Sequence, residues 1–167
     1  MKDMHEKEFF EAYQKHADAI FRHCFFWIRN REIAKDIMQD TFKKTWEHIA
    51  KGEIIENIRP FLYKVAYNTL IDYTRKQREY SLEELEDGGA VFKDATSLSP
   101  QEWAQVKEIV NVIDKQEKIY KDILSLHFID GLKNREIASI LEISENVVAV
   151  RLHRGIEKVR QVLQEGL

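Results

Sequence analysis

The sequence predicts an all-α fold of two small helical domains joined by an acidic linker, and three observations carry that expectation. Apolar residues recur at helical spacings of three and four almost throughout, while the alternation that strands need is nearly absent. Only two prolines and six glycines punctuate 167 residues. The periodicity fails in one stretch, residues 81–101, "SLEELEDGGAVFKDATSLSPQ", where acids, a Gly-Gly pair and Ser-Pro gather and Lys93 is the only basic residue. We therefore expect an N-terminal domain over 1–80, a flexible linker over 81–101, with a short helical turn at "SLEELE", and a C-terminal domain over 102–167. Each domain is small enough to be marginal alone and to gain from partner binding.

In the first helix, expected over residues 5–28, Phe9, Phe10, Tyr13, Ala17, Ile20, Phe21, Cys24 and Ile28 fall on one core-facing stripe. Cys24 lies within it and reads as a small buried hydrophobe rather than a reactive thiol. The second helix, "NREIAKDIMQDTFKKTWEHI", has Asn30 as N-cap and Glu32 in its first turn, where the helix dipole favours an acid. Ala34, Met38, Thr41, Thr45 and Ile49 share its inner face, flanked by Ile37 and Phe42. Opposite stand Asp36, Gln39, Asp40 and Lys43, which suit a solvated surface or a docking face for another helix.

The third helix, "NIRPFLYKVAYNTLIDYTRKQREY", opens with Asn57 as a cap and Pro60 near the first turn, where a missing N–H costs little. Its buried side is expected to hold Leu62, Val65, Ala66, Thr69, Leu70 and Tyr73. The other side carries Tyr63, Lys64, Tyr67, Asn68, Ile71, Thr74, Arg75 and Arg78. Cations hold phosphates, and aromatic and amide groups stack on or hydrogen-bond to unpaired bases, so this strip suits nucleic acid.

Two helices follow the linker, over 101–117 with Trp103, Val106, Ile109, Val110 and Ile113, and over 119–129 with Ile123, Leu124 and Phe128; Asp130-Gly131 ends the run. Residues 134–141 then make a short helix burying Ile137, Ala138 and Leu141, "EIS" turns the chain with Ile143 inward, and Ser144 caps a longer helix. This is the helix-turn-helix plan. Val148, Leu152, Gly155, Ile156, Val159 and Leu163 form the inner side of the last helix, with Gly155 admitting close approach. Asn146, Val150, His153, Arg154 and Glu157 face outward, with Val147 at the edge. An outward valine suits either a thymine methyl group or a scattered surface position.

A net charge of -3 argues against a globally basic nucleic-acid binder, so local charge must do the steering. The single cysteine excludes an internal disulfide and suits a reducing compartment; with no signal peptide and no apolar run approaching a membrane span, a cytoplasmic location is expected. The six histidines are scattered, His16 and His23 lack a third ligand at sensible spacing, and neither a metalloprotease motif nor a phosphate-binding glycine loop occurs. We expect no catalytic residue, metal, cofactor or small-molecule substrate.

Three motifs in order resemble the extracytoplasmic-function (ECF) sigma factors, the small two-domain branch of the bacterial housekeeping-type sigma family. "AKDIMQDTFKKTW" is similar to the region 2 signature that docks on the coiled coil of the polymerase β′ clamp, with Asp36, Gln39, Asp40 and Phe42 at its key positions and Lys43 beside them. "RPFLYKVAYNTLIDYTRKQR" resembles the helix that handles the minus-ten element, with Ala66, Asn68, Asp72, Arg75 and Arg78 matching. "GLKNREIASILEISENVVAVRLHRGIEKVRQVL" resembles the region 4 reader of the minus-thirty-five element. The resemblance implies a region 2 helical bundle, a region 4 helix-turn-helix, and a subunit that directs core polymerase to promoters and starts DNA melting without covalent chemistry.

Its implied partners are core RNA polymerase, through the β′ clamp and β flap, promoter DNA and an anti-sigma factor. It implies minus-ten contacts from Asn57, Tyr63, Lys64, Tyr67, Asn68, Arg75, Lys76 and Arg78, and minus-thirty-five contacts from Arg135, Ser144, Asn146, Val147, Val150, Arg151, His153 and Arg154. The loop "AKGEIIEN", 50–57, stands where the family captures a flipped base, and the acidic linker where the family's connector threads toward the active-site cleft and the RNA exit path. The chain departs from the family at Tyr67, where arginine is frequent, at Asn134, where an aromatic is, and at Val147, Ala149 and Val150, which replace common threonine, lysine and serine. A helix-turn-helix repressor or activator with a ligand-sensing or dimerising N-terminal domain is the alternative.

Overall fold

The computed structural model describes residues 2–77 and 99–166, all helix, turn and loop with no strand among them. The chain divides into two compact units, Met1–Asp87 and Gly88–Leu167. Arg78, most of the expected linker and its "SLEELE" turn lie outside the described residues.

The N-terminal unit is built from α1 (Lys2–Ile28), α2 (Arg31–Ala50) and α3 (Ile58–Gln77), each packed on the other two. Between α1 and α2 the chain reverses at Arg29, which takes a left-handed φ of 55° and sets its buried guanidinium 5.2 Å from the Phe26 ring. Asn30 is the cap the sequence calls for, its Oδ1 accepting the Ile33 N–H at 3.1 Å. The core joins Ile20, Cys24, Phe25 and Phe26 of α1 to Ala34, Ile37, Met38 and Phe42 of α2 and Leu62, Ala66 and Leu70 of α3. Thr41 and Thr45 enter it because each hydroxyl donates to the carbonyl one turn back, Ile37 and Thr41 respectively, at 2.8 Å.

The α1 stripe is corrected in its first half. Phe10 and Tyr13 are exposed, and the buried row runs through Ala12, His16, Ile20 and Cys24 at strict four-residue spacing. A histidine in the row disguised it.

The C-terminal unit contains α4 (Pro100–Asp114), α5 (Lys118–Leu124), a π turn over Ser125–Ile129, α6 (Asn134–Leu141) and α7 (Glu145–Glu165). Ser99 closes a capping box with Glu102, its Oγ accepting the Glu102 N–H at 3.2 Å and its own N–H donating to Glu102 Oε2 at 2.8 Å. That cap starts α4 at Pro100, one residue before the helix expected over 101–117. The helix expected over 119–129 is interrupted by the π turn. The extra residue per turn rotates the face, burying Leu126 and leaving Phe128 55% exposed. The run ends at Gly131, φ 68°, as the sequence predicts.

Ile137, Ala138 and Ile140 are the buried residues of α6, with Leu141 only half-buried. The "EIS" turn follows as expected: Glu142 adopts a left-handed φ of 55°, and the Ile143 N–H returns to the Ala138 carbonyl at 3.1 Å. Ser144 Oγ then accepts the Val147 N–H at 3.1 Å and starts α7. Val148 and Gly155 are the buried positions of that helix. A Cβ built on Gly155 would lie 3.1 Å from Leu124 Cγ, so a side chain there would hold α5 and α7 apart.

Candidate nucleic-acid interface

Three surfaces carry the residues singled out from the sequence. On α2, Asp36, Gln39 and Lys43 are exposed and Asp40 half-buried, in one polar stripe. Asp40 Oδ2 lies 3.0 Å from Lys44 Nζ, one turn on. Phe42 does not join this stripe. It is buried, 4.8 Å from the Tyr13 ring and 6.2 Å from the Phe9 ring, and packs within the unit.

On α3, Asn68, Arg75 and Lys76 are exposed and Lys64 and Tyr67 half-buried. Arg75 makes an exposed pair with Asp72 at 3.4 Å, which leaves its charge available to a polyanion. Tyr63 is a correction: it is buried, edge-on to the His23 ring at 5.3 Å and beneath the Arg59 guanidinium at 6.0 Å. It follows the buried Leu62 and turns toward α1, off the exposed strip where the sequence places it.

Between α2 and α3, Gly52 takes a φ of 80° and lets the loop fold back, with His48 Nδ1 paired to Glu53. Asn57, exposed, offers its carbonyl to the Phe61 N–H at 3.4 Å. Ile54, at 91% exposure, is the residue that contact reasoning missed. Two isoleucines in an otherwise polar loop were its signal. Beside it runs a groove of about 530 Å³ bounded by Lys15, His16, Ile49, Ile55 and Ile58. Burial, aided by the charges of Lys15 and Arg59, holds the His16 pKa below its ordinary value.

On α7, Asn146, Val147, Val150, His153 and Arg154 are exposed and share one side of the helix; Arg151 is half-buried on its flank. Arg135 is exposed on α6, and Ser144 sits at the turn with its oxygen engaged as the cap. Facing the other way, Ile109, Ile113, Leu124, Phe128, Ile156, Val159 and Leu163 line an apolar groove of about 280 Å³ rimmed by Arg160. Ile109 and Phe128, apolar members of their helical patterns, are both exposed there. Among the described residues no group of histidine, cysteine or carboxylate side chains could hold a metal ion, and no helix is long and apolar enough to cross a membrane.

Comparison with known proteins places both units. Residues 12–80 match the family "Sigma-70 region 2", and residues 107–159 match "Sigma-70, region 4". The chain is 30% identical over 160 residues to the ECF RNA polymerase sigma factor SigW of Bacillus subtilis, covering 89% of this chain and 84% of that protein. It is 25% identical over 158 residues to SigM of the same organism, covering 94% and 96%. Among solved structures, sigma factor RpoE in complex with the anti-sigma factor NepR from Bartonella quintana has a TM-score of 0.75 at 17% identity, covering 95% of this chain and 98% of that one. The fold is also that of CnrH in complex with the cytosolic domain of CnrY, with a TM-score of 0.69 at 20% identity, covering 96% and 90%.

Proposed function

The chain belongs to the ECF RNA polymerase sigma factors, and from that membership we propose how its two units divide the work of promoter recognition. It is a sigma factor: it directs core RNA polymerase to specific promoters and initiates melting, and the repressor alternative is not favoured by a chain that matches region 2 and region 4 in order. Residues 1–80 dock on the polymerase and handle the minus-ten element, 102–167 with the start of α4 read the minus-thirty-five element, and the acidic segment between them spans the two. The acidity of that segment repels nascent RNA and eases its own displacement. The protein acts by recognition rather than by covalent catalysis, and its work on polymerase puts it in the cytoplasm.

The observation that carries this division is the exposure of a polar stripe on α2 in one unit and of a cation-flanked reader face on α7 in the other. Asp36, Gln39, Asp40 and Lys43 meet the β′ clamp. The apolar groove around Phe128 needs an apolar partner, and the β flap is the polymerase element left to supply it. On α3, Lys64, Tyr67, Asn68, Arg75 and Lys76, with Asn57 at its start, bind the minus-ten strand together with Arg78, which lies outside the described residues. The loop bearing Ile54 and the adjacent groove take the flipped base. Arg135, Ser144, Asn146, Val147, Val150, Arg151, His153 and Arg154 contact the upstream duplex.

Because the RpoE structure is a complex with an anti-sigma factor, we also assign this chain an anti-sigma partner. Run-off transcription with purified core polymerase on fragmented genomic DNA tests the function. Discrete promoter-dependent transcripts are expected; duplex binding without any polymerase-dependent transcript would return the chain to the repressor class.

A further inference from the structure

The first turns of α7 present an unusual mixture for a surface meant to meet a polyanion. Val148 is fully buried, whereas Val147 and Val150 are 37% and 46% exposed, and Ala149 is exposed between them. Val150 stands at the centre of the reader face, with Asn146 one turn before it and His153 and Arg154 one turn after. Arg135 of α6 adds an exposed cation. The cations thus flank this stretch in sequence, Arg135 before it on α6 and Arg151 and Arg154 after it on α7, and branched methyl groups occupy the first turns of α7.

A valine cannot answer the hydrogen-bonding edge of a G·C pair, and pressing it on cytosine would strip the N4 amine of water without supplying an acceptor. The one apolar feature in the major groove is the C5-methyl group of thymine. Val147 and Val150 are three residues apart, about 4.5 Å along the helix axis, against about 3.4 Å per base step in duplex DNA. The two side chains therefore reach neighbouring base pairs.

We propose that Val147 and Val150 read thymine methyl groups on neighbouring pairs of the upstream promoter element, so that this sigma factor selects its minus-thirty-five sequence by apolar contact, with the flanking cations supplying affinity without base choice. The inference rests on the region 4 unit being the upstream reader.

The test uses the full chain with core polymerase and a promoter recovered by run-off transcription. Each thymine of the upstream element is replaced singly by deoxyuracil, which deletes the methyl group and keeps base pairing. Two neighbouring positions should each lose roughly fourfold in holoenzyme binding, the equivalent of the ~0.8 kcal/mol carried by one buried CH₂ group. In Val150→Ser, with an unchanged melting temperature, the sensitivity at one of those positions should disappear while the other persists. Promoter-dependent transcription that is indifferent to uracil, an upstream element without thymine, or undiminished uracil sensitivity in Val150→Ser with Val147→Ser would overturn the inference and leave the sigma assignment standing. Absence of any promoter-dependent transcript would instead overturn that assignment.

Discussion

Lys44 of α2 donates to Thr69 of α3 across the helix interface, Nζ to Oγ1 at 3.1 Å, while the same ammonium lies 3.0 Å from Asp40 Oδ2. One cation thus ties the polar stripe of α2 to the helix proposed to handle the minus-ten element. Thr69 keeps a second bond, donating to the Val65 carbonyl at 2.8 Å. Lys44→Met retains the aliphatic stem but removes the charge. It should lower stability by about 1 kcal/mol, the usual net worth of one hydrogen bond, since the half-exposed Asp40 pair adds little. Urea unfolding of the full chain measures it, and an unchanged midpoint would show that the bond contributes nothing.

Charge reversal on the stripe separates docking from folding. Gln39 is exposed, so Gln39→Lys should leave the fold intact and reduce co-purification with core polymerase by more than tenfold, about 1.4 kcal/mol. Asp40→Lys should do the same and also set two lysines one turn apart, with a further loss of a few tenths of a kcal/mol in stability. Full retention of both variants on core polymerase would remove α2 from the docking surface.

Gly155 is governed by packing. Alanine there would favour the helix by about 1 kcal/mol, but its Cβ would press on Leu124 at Cγ, Cδ1 and Cδ2, at 3.1, 3.2 and 3.3 Å. Leu124 is buried and meets the new atom with its branch point rather than a swinging tip, so overpacking of about 1–3 kcal/mol should prevail. Gly155→Ala is expected to lower the melting temperature of the C-terminal unit; a rise would mean that Leu124 can shift.

Much of this arrangement was legible because it rests on local chemistry: the Asn30 and Ser144 caps and the "EIS" turn are each fixed by near neighbours, and Gly155 stood out because it interrupts an apolar face. What was not legible came from helix rotation. Tyr63 sits beside the buried Leu62, and a single residue's angular step decides between core and surface; packing against α1 took it inward, whereas Phe42, expected at the flank of the inner face, is buried there. Phe128 went the other way, since a π turn leaves no mark in residue spacing. His16 was hidden by its polarity, although it occupies a core row whose other members are Ala12, Ile20 and Cys24.

That histidine makes stability depend on pH. Burial, then Lys15 and Arg59, keep its folded pKa below the ordinary 6.5. The unfolded chain therefore takes up the proton first, and stability rises with pH through this window. The contribution is fully present above about pH 6.5 and is lost as pH falls through the depressed folded value. His16→Gln should flatten this part of the pH–stability curve of the full chain. A curve with the same slope in the variant would assign the proton elsewhere.

The turn that launches the reader helix can be adjusted from both ends. Glu142 holds a left-handed φ of 55°, which strains a residue with a Cβ by roughly 1–2 kcal/mol. Glycine removes that strain and gives back about 0.5–1 kcal/mol in chain entropy, so Glu142→Gly should stabilise the C-terminal unit by about 0.5–1 kcal/mol. Ser144→Ala works against it by taking the acceptor from the Val147 N–H, at a cost of about 1 kcal/mol. The double variant should therefore melt close to the unmodified protein. Its upstream-promoter binding should still be weaker, because the first turn of α7, which carries Val147, frays without its cap even when the unit as a whole is restored. Equal melting with equal promoter binding would show that the cap serves stability alone.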